Sequence, residues 1–470
     1  MAERVEQCIF TNAGEFERKD LSVRGSLPGD VRGTYYINGP ARFRPGEIER
    51  NHWLDGDGMV RSLTLADGMA HYRGRYVQTH RLREEVAAGR ALYRSFGTAF
   101  QGDKLRRRLT LESPTNVSVY SYGEKMLAFG EQALPWSLDP HTLETLGEVD
   151  FDGKFAPIAP LAAHPKQDPV TGEMFTFGIT YFGRRGKLQV HVFDEGLKHL
   201  RSGDWSMPSG CYIHDCAISR NYVVFHLSPY YLDVHRFARG GFSLLAALGW
   251  VPDGEHALLV FCRSSMEAVA HIPLSRRGHC LHMINAHERK QHLLVDLIET
   301  PVPFFDQYSA APMMFSQIEA CAIARYHVDL TGHAIAGEEV VPLNVHCDFP
   351  SHDPALTGRD YSSFWALSMP AHPQPAPKFY NRVFRYDWAA GAIADAWTAP
   401  VGTYLGGEPL LIPRPGRSPR AILINQQLDL ASEKSSYLFF DAHHLAQGPI
   451  AWVDLGVYDP LGFHTHFKPE

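Results

Sequence analysis

Asp168-Pro-Val-Thr-Gly-Glu173 runs straight into the apolar stretch Met174-Phe-Thr-Phe-Gly-Ile179 and points to the fold class more directly than any other segment. Proline presets one turn dihedral, glycine supplies the positive φ and aspartate bonds its own backbone, so the phrase reads as a hairpin loop entering a strand. Short runs of the same kind recur at Gly33 to Ile37, Gln189 to Phe193, Tyr222 to Phe225, Leu293 to Leu297 and Tyr437 to Phe440. Asp67-Gly68, Asp139-Pro140 and Pro415-Gly416 punctuate them, and amphipathic helical periodicity is scarce. Many short strands argue for an all-β propeller or barrel, and 470 residues hold six or seven blades at about 40–60 residues each. No repeat is visible and no linker stands out; the proline-rich stretches Pro370 to Pro377 and Pro409 to Pro415 read as loops, so residues 1–470 are read as one domain.

The net charge of −7 and the lack of basic clusters beyond Arg106-Arg107-Arg108, read as a solvated face, argue against a nucleic-acid partner. Seven scattered cysteines without a CxxC pair read as reduced thiols of a cytoplasmic protein. The longest apolar run, Phe242 to Val251, is shorter than the span of about 20 residues a bilayer requires. It reads as a buried short helix or loop, the alternative being a surface patch that dips into a membrane.

Among 25 histidines, four lie at turn-to-strand junctions with apolar flanks: His164, His214, His282 and His464. Separations of 50, 68 and 182 residues rule out a local zinc motif. They suit one histidine at the inner end of each of four blades. An all-imidazole set accepts Fe(II), Zn or Cu, and ligand type does not choose among them.

Several segments, in order, resemble the carotenoid cleavage oxygenase family. They are Gly33-Thr-Tyr-Tyr-Ile-Asn-Gly-Pro40, Asn51-His-Trp-Leu-Asp-Gly-Asp-Gly-Met59, Tyr72 to Val77, the four histidine contexts, Gly407-Glu-Pro409, Phe440-Asp-Ala442 and Gly462-Phe-His464. The resemblance implies a seven-bladed β-propeller, capped by loops and short helices, with the four histidines holding one Fe(2+) per chain. His279, His287, His346 and His466 read as unliganded neighbours, and His52 as part of a structural motif. Carboxylates that tie down the other imidazole nitrogens are implied at Glu131, Glu408 and Asp348. Asp348 stands where the family has glutamate, so a shifted strand or a bridging water is expected there. Thr115 matches a position beside the vacant metal sites, where its methyl would steer O2.

The implied reaction uses O2 to cleave a carbon–carbon double bond of a lipophilic alkene into two carbonyl products, with contact at a membrane surface. Phe96, Phe100, Trp136 and Trp365 are candidate walls of a substrate tunnel. Stilbene-cleaving relatives anchor a phenol with a lysine just before the first of those carboxylates; here that position is Gly130. A carotenoid or apocarotenoid is therefore expected, ahead of a stilbene or phenylpropanoid. Other readings are retinoid-ester isomerisation, a metal-dependent hydrolase and a non-catalytic propeller that binds proteins.

Overall fold

The computed structural model describes residues 9–50, 52–308, 315–370 and 379–470. Cys8, Asn51 of the tryptophan-containing motif and most of the Pro370 to Pro377 stretch lie outside them. Seven antiparallel sheets of four or five strands follow one another around an axis, making a seven-bladed propeller. The decisive hairpin is the third blade: Lys166–Gln167, Met174–Phe182, Arg185–Phe193 and His199–Met207 pair in sequence order. Its loop is built as its residues dictate, with Asp168 Oδ1 accepting from Val170 N at 2.9 Å and Gly172 at φ +70°. The outermost strand, His199–Met207, alternates half-buried and exposed positions, whereas Leu293 to Leu297 is buried throughout. Blades packed face to face bury both sides of their central strands and leave only the rim in water. Phe177 of the third blade and Phe225 of the fourth meet across such an interface, ring centroids 5.1 Å apart.

Closure of the ring joins the two ends of the chain. Thr465–Pro469 pairs antiparallel with Gly33–Arg42, placing Ile37 opposite Thr465, and Arg24–Gly25 pairs with Ala451–Asp454 of the last blade. One edge strand from each blade lines an axial channel: Tyr120, Lys166, Ala217, Met283, Ser351, Leu410 and Thr465 all face it. Short elements cover one end of this channel, among them the single turns Trp53–Asp55 and Phe304–Gln307 and the helix His80–Ala88. That helix starts where Thr79 caps Leu82 N and ends at Gly89 in the left-handed region.

Three sequence expectations need correction. Pro409 to Pro413 is not a loop but part of the edge strand Thr403–Pro413, where a missing N–H is tolerated beside a register shift between Gly406 and Leu410. Phe242 to Val251 forms the one-turn helix Leu244–Ala247 and the strand Leu248–Trp250, but Phe242 and Val251 at its ends are exposed. Arg106 is not a solvated charge: its guanidinium pairs with both oxygens of Glu148 at 2.6 and 2.8 Å.

Candidate metal centre

The four junction histidines stand just before the axial edge strands of four different blades. His164 precedes Lys166–Gln167, His214 precedes Ala217–Ile218, His282 precedes Met283–Arg289 and His464 precedes Thr465–Pro469. Because these strands converge on one axis, residues far apart in sequence meet at one end of it. Ring centroids lie 4.5 Å apart for His164 and His214, 5.0 Å for His164 and His282, 4.4 Å for His164 and His464, and 4.9 Å for His282 and His464. All four are buried.

Each of three rings points one nitrogen outward to a carboxylate. His282 Nδ1 is 2.6 Å from Asp348 Oδ1, His214 Nδ1 3.2 Å from Glu131 Oε2 and His464 Nδ1 3.5 Å from Glu408 Oε2. Ligand nitrogens of His164, His214 and His282 lie within 4.8 Å of one another. His164 Nε2 and His214 Nε2 are 2.9 Å apart, and His282 Nε2 is buried with no hydrogen-bond partner. Two nitrogens each about 2.1 Å from a common ion at right angles would stand about 3 Å apart. Two ring nitrogens in contact and a third left without a partner fit a cation that accepts nitrogen ligands.

The electrostatics agree at His164 and His464. Burial, followed by the neighbouring imidazoles, holds His164 well below the usual histidine range, and burial also lowers His464. Burial opposes charge on His282 too, but Asp348 outweighs it and leaves this ring raised. Neutral rings are what a metal requires as ligands.

The profile of the family described as retinal pigment epithelial membrane protein matches residues 9–469. The chain belongs to this family, the carotenoid cleavage oxygenases. Relatives at this level include apocarotenoid-15,15'-oxygenase of Synechocystis, 27% identical over 94% of this chain and 91% of that protein. Lignostilbene-alpha,beta-dioxygenase isozyme III of Sphingomonas paucimobilis is 28% identical over 95% and 93%, and isoeugenol monooxygenase of Pseudomonas nitroreducens 27% over 96% and 95%. The crystal structure of the cobalt-substituted Synechocystis apocarotenoid oxygenase superposes with a TM-score of 0.89 at 25% identity, covering 100% of this chain and 99% of that one. A transition metal thus occupies a solved carotenoid cleavage oxygenase.

Asp348 reaches its histidine directly, without the bridging water that its length allowed for. The strand Cys347–Ser351 is irregular between Asp348 and Ser351, and Phe349 sits at φ +57°. This bulge carries the shorter side chain inward. Glu408 does two things at once: its carboxylate faces His464, and its backbone carbonyl accepts from Thr465 Oγ1 at 3.2 Å, at the start of the closing strand.

Thr115 is fully buried at φ +51°, a conformation that a β-branched residue adopts only when held. Asn38 Nδ2 donates to its carbonyl at 3.0 Å, Ser113 Oγ accepts from its N–H at 3.1 Å, and its own hydroxyl is unpartnered. It does not line the cavity beside the histidines, where Val117 stands instead.

None of the four tunnel candidates lines that cavity. Phe96 stands one ring behind its wall, 4.9 Å from both His52 and Phe305. Phe100 lies in a surface turn, its N–H donating to Asp103. Trp136 fills a seam between the first two blades beside His80, and Trp365 Nε1 donates to Ala442 O. The wall is made by Trp53, Phe304, Phe305, Phe349, Tyr380 and Phe463. Phe349 and Phe463 are the sequence neighbours of Asp348 and His464, a signal that was available. His466 bonds Ser121 Oγ at 2.5 Å and His346 stacks on Phe304.

Proposed function

We propose that this chain is a non-haem Fe(II) dioxygenase that cleaves a carbon–carbon double bond of an apocarotenoid. One observation carries the reading: four buried imidazoles converge beneath an aromatic cavity, three of them backed by carboxylates. His164, His214, His282 and His464 would hold the metal. Iron(II), when bound, supplies a place for O2 and the electrons to activate it. The carboxylates of Glu131, Asp348 and Glu408 fix tautomer and ring orientation by accepting Nδ1–H, so that each Nε2 lone pair faces inward. Phe305, Phe349 and Phe463 exclude water and hold the alkene flat against the centre. The balance is one alkene plus one O2 giving two carbonyl products, with both oxygen atoms retained; no flavin or nicotinamide enters.

An apocarotenoid is favoured because Gly130 has no space for the phenol-anchoring lysine of the stilbene branch. A Cβ there would lie 2.0 Å from Ser113 Oγ and 2.9 Å from Thr115 Cα. A stilbene or phenylpropanoid is the second reading, supported by the polar atoms of His52 and Tyr380 on the cavity wall. Exposed Phe242 and Val251, flanking the half-buried Leu244, Leu245 and Trp250, support contact with a lipid surface. Among the described residues no helix is long and apolar enough to cross a membrane. A cytoplasmic location fits the reading of the cysteines.

Metal content and O2 uptake test this. The expected result is about one iron per chain, lost in His282→Ala, with O2 consumed on adding an apocarotenal. Iron with O2 uptake on hydroxystilbene or isoeugenol alone would shift the substrate to the second reading. Products of retinoid-ester isomerisation, or a folded protein that takes up no iron, would overturn the proposal.

A further inference from the structure

The cavity wall is almost wholly apolar, which makes its unmatched polar atoms conspicuous. Outside the histidine cluster, and among the described residues, His52 Nε2 and Tyr380 Oη belong to wall residues and are buried without a hydrogen-bond partner. For His52 the chemistry of that atom is determined. Its Nδ1 accepts from Leu54 N–H at 3.1 Å, capping the turn Trp53–Asp55. Burial lowers the ring's pKa to about 4, so it is neutral near pH 7 and carries a single proton. With Nδ1 acting as acceptor, that proton is on Nε2. An N–H kept dry and unmet is costly, and such atoms are retained where something meets them.

The ring is held firmly in place. Tyr308, Phe96 and Phe305 surround it with centroids at 4.2, 4.9 and 5.9 Å. Phe305 is also 6.2 Å from His214, so the donor stands close to the histidine centre, separated from it by little more than one side chain.

We propose that His52 is the substrate-orienting residue of this site: its Nε2–H donates to a carbonyl or hydroxyl oxygen carried by the alkene. The enzyme then selects an oxygenated alkene over the matching hydrocarbon. This rests on the alkene-oxygenase reading above and narrows its substrate class. An apocarotenal brings such an oxygen as its aldehyde and a phenylpropanoid or stilbenoid as its phenol.

Two substitutions separate this role from the capping role. In His52→Asn the amide oxygen takes the place of Nδ1 and still caps Leu54, but the donor at the Nε2 position is gone. In His52→Gln the longer amide restores a donor there. Binding is read under argon, without turnover, from quenching of tryptophan fluorescence, to which Trp53 in the wall contributes. The ligands are two matched pairs: an apocarotenal with its terminal hydrocarbon analogue, and 4-hydroxystilbene with stilbene. The wild type is expected to favour the oxygenated member of one pair by about tenfold or more, the worth of one buried hydrogen bond. His52→Asn should abolish that preference, and His52→Gln should recover most of it. The pair that shows the effect identifies the source of the oxygen. A preference that survives in His52→Asn, or a wild type that binds and cleaves alkenes with no preference for oxygen, overturns the proposal while leaving the oxygenase reading intact. A folded wild type that binds neither pair overturns both.

Discussion

Asp348 Oδ1 lies 2.6 Å from His282 Nδ1, closer than either glutamate comes to its histidine, although the aspartate side chain is one methylene shorter. Backbone displacement has replaced side-chain length at this position. Asp348→Asn should therefore weaken iron binding by about 10–100-fold, the usual effect of removing a partner behind a metal-bound imidazole. Iron titration of the anaerobic protein checks this. Asp348→Glu should also lose affinity, because Oδ1 already lies 2.6 Å from Nδ1 and an added methylene would carry the carboxylate out of that position.

The metal-free protein should lose stability as pH falls below about 6.5. His52, His191, His226, His352 and His466 are lowered by burial to about 4, and His164 and His464 are lowered as well. An unfolded chain binds protons at these rings from about pH 6.5 downward while the native state resists them, so acid favours unfolding. His282, raised by Asp348, works the other way: its contribution is complete below the unfolded value and is lost as pH rises through the raised one. Seven rings outweigh one, and melting at pH 5 should come about 5 °C or more below melting at pH 7.5.

Gly130→Ala should destabilise the protein by about 1–3 kcal/mol, through overpacking against Ser113 Oγ and the Thr115 backbone. Chemical denaturation measures it. For the same reason Gly130→Lys should not gain activity on hydroxystilbenes. Pairing it with Ser113→Gly relieves only one of the two clashes.

Removing residues 465–470 should open the ring. Thr465–Pro469 is the strand that pairs with Gly33–Arg42, and His464 hangs from its first residue. The truncated chain is expected to be largely aggregated, and any soluble fraction to bind no iron, read by size-exclusion chromatography and metal analysis.

Cys262 should be the most reactive thiol among the described residues. Hydrogen bonding by Ser264, whose Oγ is 3.2 Å away, lowers it to about 7, whereas burial raises Cys211, Cys216 and Cys280. Iodoacetamide labelling followed by peptide mapping should place the first adduct there, with a rate that rises through pH 7.

Much of the fold and centre is legible in the sequence. Turn chemistry such as Asp168 to Glu173 is local, depending on dihedral preferences of adjacent residues, and the short runs from Gly33 to Ile37, Gln189 to Phe193, Tyr222 to Phe225, Leu293 to Leu297 and Tyr437 to Phe440 are all strands. The four histidines carried a shared local context, a turn entering a strand, and the ordered motifs gave them a role. What local context did not carry was direction. Trp136 and Trp365 have the composition of tunnel walls, but strand register turns them into seams between and within blades. Phe349 and Phe463 reach the cavity because the residues beside them face the axis.

Residue type and order are enough for the strand-and-turn alphabet, for the family, and for which histidines and carboxylates belong together. It takes the folded propeller to bring Asp348 onto His282 through a bulge, to leave no space for a side chain at Gly130, and to leave His52 with an unmet N–H in the cavity wall. Those are distances between side chains and backbone segments that come together only in the packed propeller, and no local preference encodes them.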